Sequence, residues 1–246
     1  MISQKRSKPF YKQFLKLRIN VQNRIKLFKF KKKKWNNFQF FALKQLKFFK
    51  RYKIRNQLKN YVPKFLSKGN SFQNNYRKSL QTQKVFNLFY GALHKKYLKV
   101  LRKKVIKSSL SSKFKDFNVD YRLSFLQNLE SRLDVILYRS GFCYSIKNAR
   151  QCILHKHFLV NGKSISSHSY AVKTLDLIEV KPSLKSINLV RAHLRTFNFW
   201  PTPPKSLIIN YKTLQIFYLK EDLSNYKPVF NHYLNVNRVI SDLKVK

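Results

Sequence analysis

No aspartate or glutamate precedes Asp116, and the 246-residue chain carries only nine acidic residues against 53 lysines and arginines, a formal net charge of +44. The first 115 residues have no internal counter-charges. Whatever fold they adopt must leave their cations in water or set them against a polyanion. Nucleic acid is the default partner and an anionic membrane surface the second. Apolar residues still make up 43% of the chain and aromatic residues 15%, enough for one or two modest cores. Lys or Arg interrupts every apolar run before it reaches the roughly 18 to 20 residues of a spanning helix, so membrane insertion is not expected.

Residues 1–75 read as a basic, aromatic-rich N-terminal extension, typified by KLFKFKKKKWNNFQFFALKQLKFFKRYKIR. Alternating rings and cations suit RNA, whose bases stack on aromatic faces while its phosphates meet ammonium groups. A helix burying Phe and solvating Lys accounts for the same pattern. Lys31–Lys34 is expected to order only on binding. The opening MISQKRSKPF has the basic, acid-free chemistry of an organelle-targeting leader, but that chemistry simply continues through the first hundred residues. Abundant Lys, Asn, Phe, Tyr and Ile beside four Gly and one Met fit an A/T-rich organellar genome, whose products need no import signal. Two cysteines, Cys143 and Cys152, exclude a disulfide framework or a four-thiolate zinc site within the chain, and are expected as small buried thiols.

Helical spacing appears in TQKVFNLFYGALHKKYLKVLRKKVIKSS, with Val85, Leu88 and Phe89 and then Leu93, Tyr97, Val100 and Leu101 as the inward stripe. Gly91 falls between the two runs and separates two helices. Another helical run lies near YRLSFLQNLE. In LESRLDVILYRSGF the recurrence of Leu129, Leu133, Ile136 and Leu137 predicts one amphipathic helix that stops at Gly141. Ser145 caps a second helix, which turns Ile146, Ala149 and Ile153 inward and Lys147, Arg150 and Gln151 outward. The strand HFLV then turns at Asn161-Gly162, a type I′ signal, and returns through KSI. YAV and DLIEV supply further short strands. A helix presenting Lys147 and Arg150 beside a hairpin pinned by Asn-Gly makes a rigid basic rim, and preorganised donors lose less entropy on meeting phosphate.

The segment SRLDVILYRSGFCYSIKNARQCILHKHFLVNGKSISSHSYAVKTLDLIEV resembles the S-four RNA-binding domain. It shares the domain's Arg-Leu-Asp start, glycine helix stop, Ala-Arg-Gln helix, His-x-His step and Val-Asn-Gly-Lys turn. Upstream, QTQKVFNLFYGALHKKYLKVLRKK resembles the stretch before that domain in the family of small-subunit ribosomal protein four. Downstream, WPTPPKSLIINYKTLQIFYL resembles the family's C-terminal segment, especially in mitochondrial members. Gly91, Gly141 and Gly162, three of the four glycines, stand where the family uses glycine. The family's Pro-Gly-Asp turn reads Thr174-Leu175-Asp176 here, and the cysteine-rich N-terminal knuckle of some members is absent.

The resemblance implies an α+β protein in which a small helix-helix-hairpin S-four domain, 131–181, is inserted into a mainly helical domain, 76–130, completed by the C-terminal segment 182–246. It implies a structural constituent of the small ribosomal subunit that binds small-subunit rRNA at a junction in the 5′ domain and supports assembly. Neighbouring ribosomal proteins, and mRNA near the channel through which it enters, are the further partners implied. A mitochondrial, organelle-encoded protein is expected, with a plastid ribosome as the nearest rival. By motif position, Arg132, Ser145, Lys147, Arg150, His155, Lys156, His157, Asn161, Lys163 and Tyr170 are the expected rRNA contacts. Asn161 and Ser145 also have purely structural readings as turn and cap, and His157 as a packed ring. Asp134 is expected to pair with an arginine, because phosphate would repel it. Arg191, His193 and Arg195 alternate along what reads as an extended segment, which would put all three on one side. Arg191 and Arg195 join the expected rRNA-binding set.

No metal-binding HExxH pair, phosphate loop or nucleophile elbow occurs, and nine scattered carboxylates form no acid/base couple. No catalysis, metal or cofactor is expected. An RNA-modifying or quality-control factor built on an S-four domain is the alternative, but it would need a catalytic domain that the remaining sequence does not display.

Overall fold

The computed structural model describes residues 10–17, 20–21, 30–40, 43, 72–111, 121–195, 203–219 and 236–243. They form an α+β fold. In order these are α1 (Phe10–Leu17), α2 (Phe72–Phe89), α3 (Lys95–Ser111), α4 (Tyr121–Glu130), α5 (Leu133–Arg139), α6 (Ile146–Leu154), β1 (Phe158–Val160), β2 (Lys163–Ser164), β3 (Leu177–Val180), α7 (Leu184–Arg195), β4 (Leu207–Asn210), β5 (Gln215–Tyr218) and α8 (Val236–Asp242). The chain divides into two compact units, residues 1–89 with 230–239 and residues 90–229 with 240–246. Among the described residues no helix is long and apolar enough to cross a membrane.

In the first unit α1 packs on α2. Most of the expected basic extension over 1–75 lies outside the described residues. Within it, Lys33–Trp35 forms a 3-10 turn. Trp35 anchors that turn: its ring is buried, 4.7 Å from Phe30 and 5.5 Å from Phe38.

The second unit opens at Tyr90. Gly91 (φ +71°) and Ala92 (φ +58°) are both left-handed, which stops α2 and lets α3 begin. α3 packs on α4. The buried face of α3 is not the expected stripe: Leu98 and Val105 are buried, whereas Val100 is exposed. Leu98, Leu101 and Val105 keep helical spacing as well as Tyr97, Val100 and Leu101 do, so periodicity alone offers two faces and packing on α4 selects one.

The single helix expected over 129–141 is two helices. α4 ends at Glu130, and Arg132 is extended (φ −71°, ψ 137°) before α5 begins at Leu133. The break arises because backbone at 131–133 pairs with 170–172: Val172 N–H donates to Ser131 O at 2.9 Å and Leu133 N–H to Tyr170 O at 2.9 Å. The predicted YAV strand is this isolated bridge, Arg132 opposite Ala171. Gly141 (φ +82°) ends α5 as expected. Ser145 caps α6 by accepting from Asn148 N–H at 3.2 Å, a bond of about 1 kcal/mol, and Ile146, Ala149 and Ile153 are buried.

β1 and β2 pair with Leu159 opposite Ser164 and Val160 opposite Lys163. The two residues between, Asn161 (φ +50°) and Gly162 (φ +74°), are both left-handed, as a type I′ turn requires. β3 pairs antiparallel with β1. The sheet then continues past the matched segment in the order β2-β1-β3-β5-β4. Within 182–246, expected to complete the helical domain, residues 207–218 instead add two strands to the sheet of β1, β2 and β3. The alternation along β5 explains it: Ile216 and Tyr218 are buried with Ile178, Val180, Val190 and Leu207 in one core that also holds Leu133, Ile136, Leu137, Ile153 and Phe158. α7 packs on β3 and runs helically through Arg195, so the expected extended segment at 191–195 is helix.

At the turn before β3, Leu175 adopts φ +67°, the conformation for which the family uses glycine. The turn persists because its neighbours over-determine it. Leu175 N–H donates to Tyr218 O at 2.8 Å, Lys173 N–H donates to Asp176 Oδ2 at 2.8 Å, and Asn161 Nδ2 donates to Asp176 Oδ1 at 2.9 Å.

Candidate nucleic-acid interface

Among the described residues of the second unit, Glu130, Asp134 and Glu179 are bonded inside the fold. Asp134, fully buried, accepts from Arg132 Nε (3.1 Å) and Nη2 (3.0 Å) and from Arg150 Nε (2.8 Å). Arg150 also donates through Nη1 to Gly91 O (2.7 Å) and through Nη2 to Tyr90 O (3.0 Å). Glu130 takes both Nε and Nη2 of Arg139, at 2.9 and 2.6 Å, and the Tyr90 hydroxyl at 2.7 Å. Glu179 accepts from Gln215 Nε2 at 2.7 Å. Burial by itself would lower the pKa values of Arg132 and Arg139, but the bonded carboxylates outweigh it and hold both above the ordinary value. The negative charges of Asp134 and Glu130, which would repel phosphate, are thereby paired with guanidinium groups.

Against that interior, Lys147, His155, Lys156, Lys163, Arg191 and Arg195 are exposed. Lys147 stands in the first turn of α6, His155 and Lys156 at its end, Lys163 beyond the hairpin turn, and both arginines on α7. Arg191 and Arg195 are one turn apart and share a face. His193 belongs to another side of that helix: its Nδ1 lies 2.9 Å from Phe142 O and its ring stands edge-on to Tyr144. The three residues do not form one row, because a period of 3.6 has replaced the period of 2.

The structure gathers His155 and His157 at the junction of α6 and β1, ring centroids 6.1 Å apart. His157 is half-buried, with Nδ1 2.9 Å from Ser186 Oγ. Desolvation, then the charges of His155, Lys185 and Lys181, depress its pKa below 6.5. Lys181 and Lys185 thus join a cluster that sequence reading missed. The available signal was KPSLK, a basic turn opening a helix.

Five expected contacts are held differently. Arg132 is buried on Asp134, and Arg150 is partly exposed but committed to Asp134 and two carbonyls. Ser145 is a buried cap. Asn161 is exposed, yet both polar atoms of its side chain serve the turn, Oδ1 accepting from Leu177 N–H at 2.9 Å. Tyr170 is half-buried against the core. Cys143 and Cys152 are free and buried, as expected.

An array of lysine, arginine and histidine donors on short rigid elements suits anionic oxygen. Among the described residues no group of three His, Cys, Asp or Glu side chains comes together to hold a metal. This is the chemistry of a phosphate-backbone surface.

Comparison with known proteins agrees with that geometry. A family described as S4 domain matches residues 131–178. Small ribosomal subunit protein uS4m of Marchantia polymorpha is 34% identical over 156 residues, covering 63% of this chain and 74% of the relative. The protein of the same name from Reclinomonas americana is 31% identical over 199 residues, covering 75% and 73%. Small ribosomal subunit protein uS4 of Thermotoga petrophila is 27% identical over 170 residues, covering 69% and 70%. With the sheet, the capped helix and the hairpin placed as described, the chain belongs to the family of small ribosomal subunit protein uS4.

Proposed function

We propose that this protein is a structural, non-catalytic component of the mitochondrial small ribosomal subunit that binds small-subunit rRNA directly at a junction in the 5′ domain. There it supports assembly and lies beside neighbouring ribosomal proteins, near the channel through which mRNA enters. The observation carrying this reading is the sorting of charge: Glu130, Asp134 and Glu179 are bonded internally while Lys147, Lys156, Lys163, Arg191 and Arg195 stand exposed on preorganised elements. Residues 131–181 are the RNA-binding module in this reading, and the basic segment 1–75 is a second RNA-facing region. The contacts assigned to rRNA are these exposed cations with His155 and His157. Arg132, Ser145, Arg150, Asn161 and Tyr170 shape the surface from behind.

The mitochondrial assignment draws on the uS4m names of the Marchantia and Reclinomonas relatives. A plastid ribosome is the second reading, favoured by relatives named uS4c from Orobanche minor and Phaseolus vulgaris, each 32% identical.

Sucrose-gradient fractionation of gently lysed organelles, with crosslinking to RNA, tests the reading. Comigration with the small subunit and rRNA crosslinks from 147–163 are expected. A protein confined to light fractions and crosslinked to tRNA or free transcripts overturns it in favour of an RNA-modifying or quality-control factor.

A further inference from the structure

The stripe Tyr97, Val100 and Leu101, which reads as core in the sequence, lines an open groove of about 220 Å³ together with Lys104. These four occupy positions i, i+3, i+4 and i+7 and share one face of α3. Asn128, Arg132, Ser169 and Ala171 complete its lining. The Arg132 guanidinium lies over the Tyr97 ring, 5.2 Å from its centroid, and is itself fixed by Asp134. The ring therefore has a set orientation. Val100 is 58% exposed, so the apolar wall is open to an occupant.

Resting on the RNA-binding reading above, we propose that this groove receives one unpaired nucleotide of RNA, its base against Tyr97, Val100 and Leu101 and its phosphate on Lys104. The volume falls below the roughly 300–1,000 Å³ of drug-sized sites and is on the scale of one planar ring system. Base stacking on an aromatic wall with a cation at its mouth is the recurring device for unpaired nucleic acid. Charge complementarity favours RNA over a peptide. Among the described residues no carboxylate lines the groove, and α3 carries Lys95, Lys96, Lys99, Arg102, Lys103, Lys104 and Lys107 with no acidic residue.

The full chain, bound to small-subunit rRNA of its own organelle, is irradiated with ultraviolet light and its nucleotide adducts are mapped by mass spectrometry. A Tyr97 adduct is expected, with Tyr97→Ala and Val100→Asp each weakening rRNA binding about 5- to 150-fold. Tyr97→Phe, which keeps the stacking face, retains most of the affinity. Val100→Asp alters an exposed position, and an unchanged unfolding curve separates loss of binding from loss of fold. Wild-type affinity in both variants, while Lys156→Ala and Lys163→Ala still weaken binding, overturns the groove and leaves the RNA reading intact. Failure of the unaltered chain to bind overturns both. In intact small subunits, crosslinks from Lys104 to another protein without a Tyr97 adduct assign the groove to a protein and overturn the proposal too.

Discussion

Arg150 Nε meets Asp134 Oδ2 at 2.8 Å, joining α6 to α5, while the other two nitrogens of the same guanidinium hold the carbonyls of Tyr90 and Gly91. One side chain thus fastens the turn at 90–91 to the S4 domain 59 or 60 residues later. Removing the carboxylate strands Arg132, which is 3% exposed, beside a second cation. Asp134→Ala is expected to cost about 3–5 kcal/mol of stability, measured by denaturant unfolding. Arg150→Lys does not restore the wild-type value, because a single ammonium cannot reproduce the fork that reaches a carboxylate and two carbonyls.

Gly91 and Gly162 are both left-handed, at φ +71° and +74°, but their surroundings differ. A Cβ at Gly91 would lie 2.7 Å from Ile146 Cγ2 and 3.0 Å from Arg150 Nη2, whereas nothing stands within 4 Å at Gly162. Gly162→Ala is expected to cost about 1–2 kcal/mol from backbone strain alone. Gly91→Ala adds a further 1–3 kcal/mol or so of overpacking and perturbs the Arg150 bonds. Paired thermal melts check the order, and equal losses in the two variants refute it.

Leu175 occupies a left-handed position, φ +67°, with 71% of its surface exposed, so its side chain contributes little packing to offset the strain. Leu175→Gly is expected to raise stability by about 0.5–1 kcal/mol, the relieved strain exceeding the added unfolded-state entropy. A lower unfolding midpoint for this variant contradicts the account.

His157 has a folded-state pKa below its ordinary 6.5, from desolvation first and then His155, Lys185 and Lys181. For a base so depressed, the stabilising contribution is complete above about pH 6.5 and is lost as pH falls through the folded value. RNA phosphates act in the opposite direction by favouring the imidazolium. Binding is therefore expected to take up a proton and to tighten as pH falls from 7.5 toward 5.5. The pH slope of the rRNA association constant should be smaller in His157→Gln, and an identical slope would remove His157 from the interface.

Local chemistry was legible in the sequence. Asn161-Gly162 made its hairpin, Ser145 its cap and Gly141 its helix stop, because left-handed φ and orphan N–H groups are settled within a few residues. The inward face of α6 followed from spacing, and the acid-free first 115 residues pointed to a polyanion as partner. What only the tertiary structure decided depended on distant partners. Pairing with 170–172 broke the helix expected at 129–141, and β5 joined β3 across a long separation. Arg132 and Arg150, which look like phosphate ligands by residue type, turned to Asp134. A periodicity states which residues share a side. Burial against another element decides whether that side becomes core, as at Leu98, or stays open, as at Tyr97 and Val100.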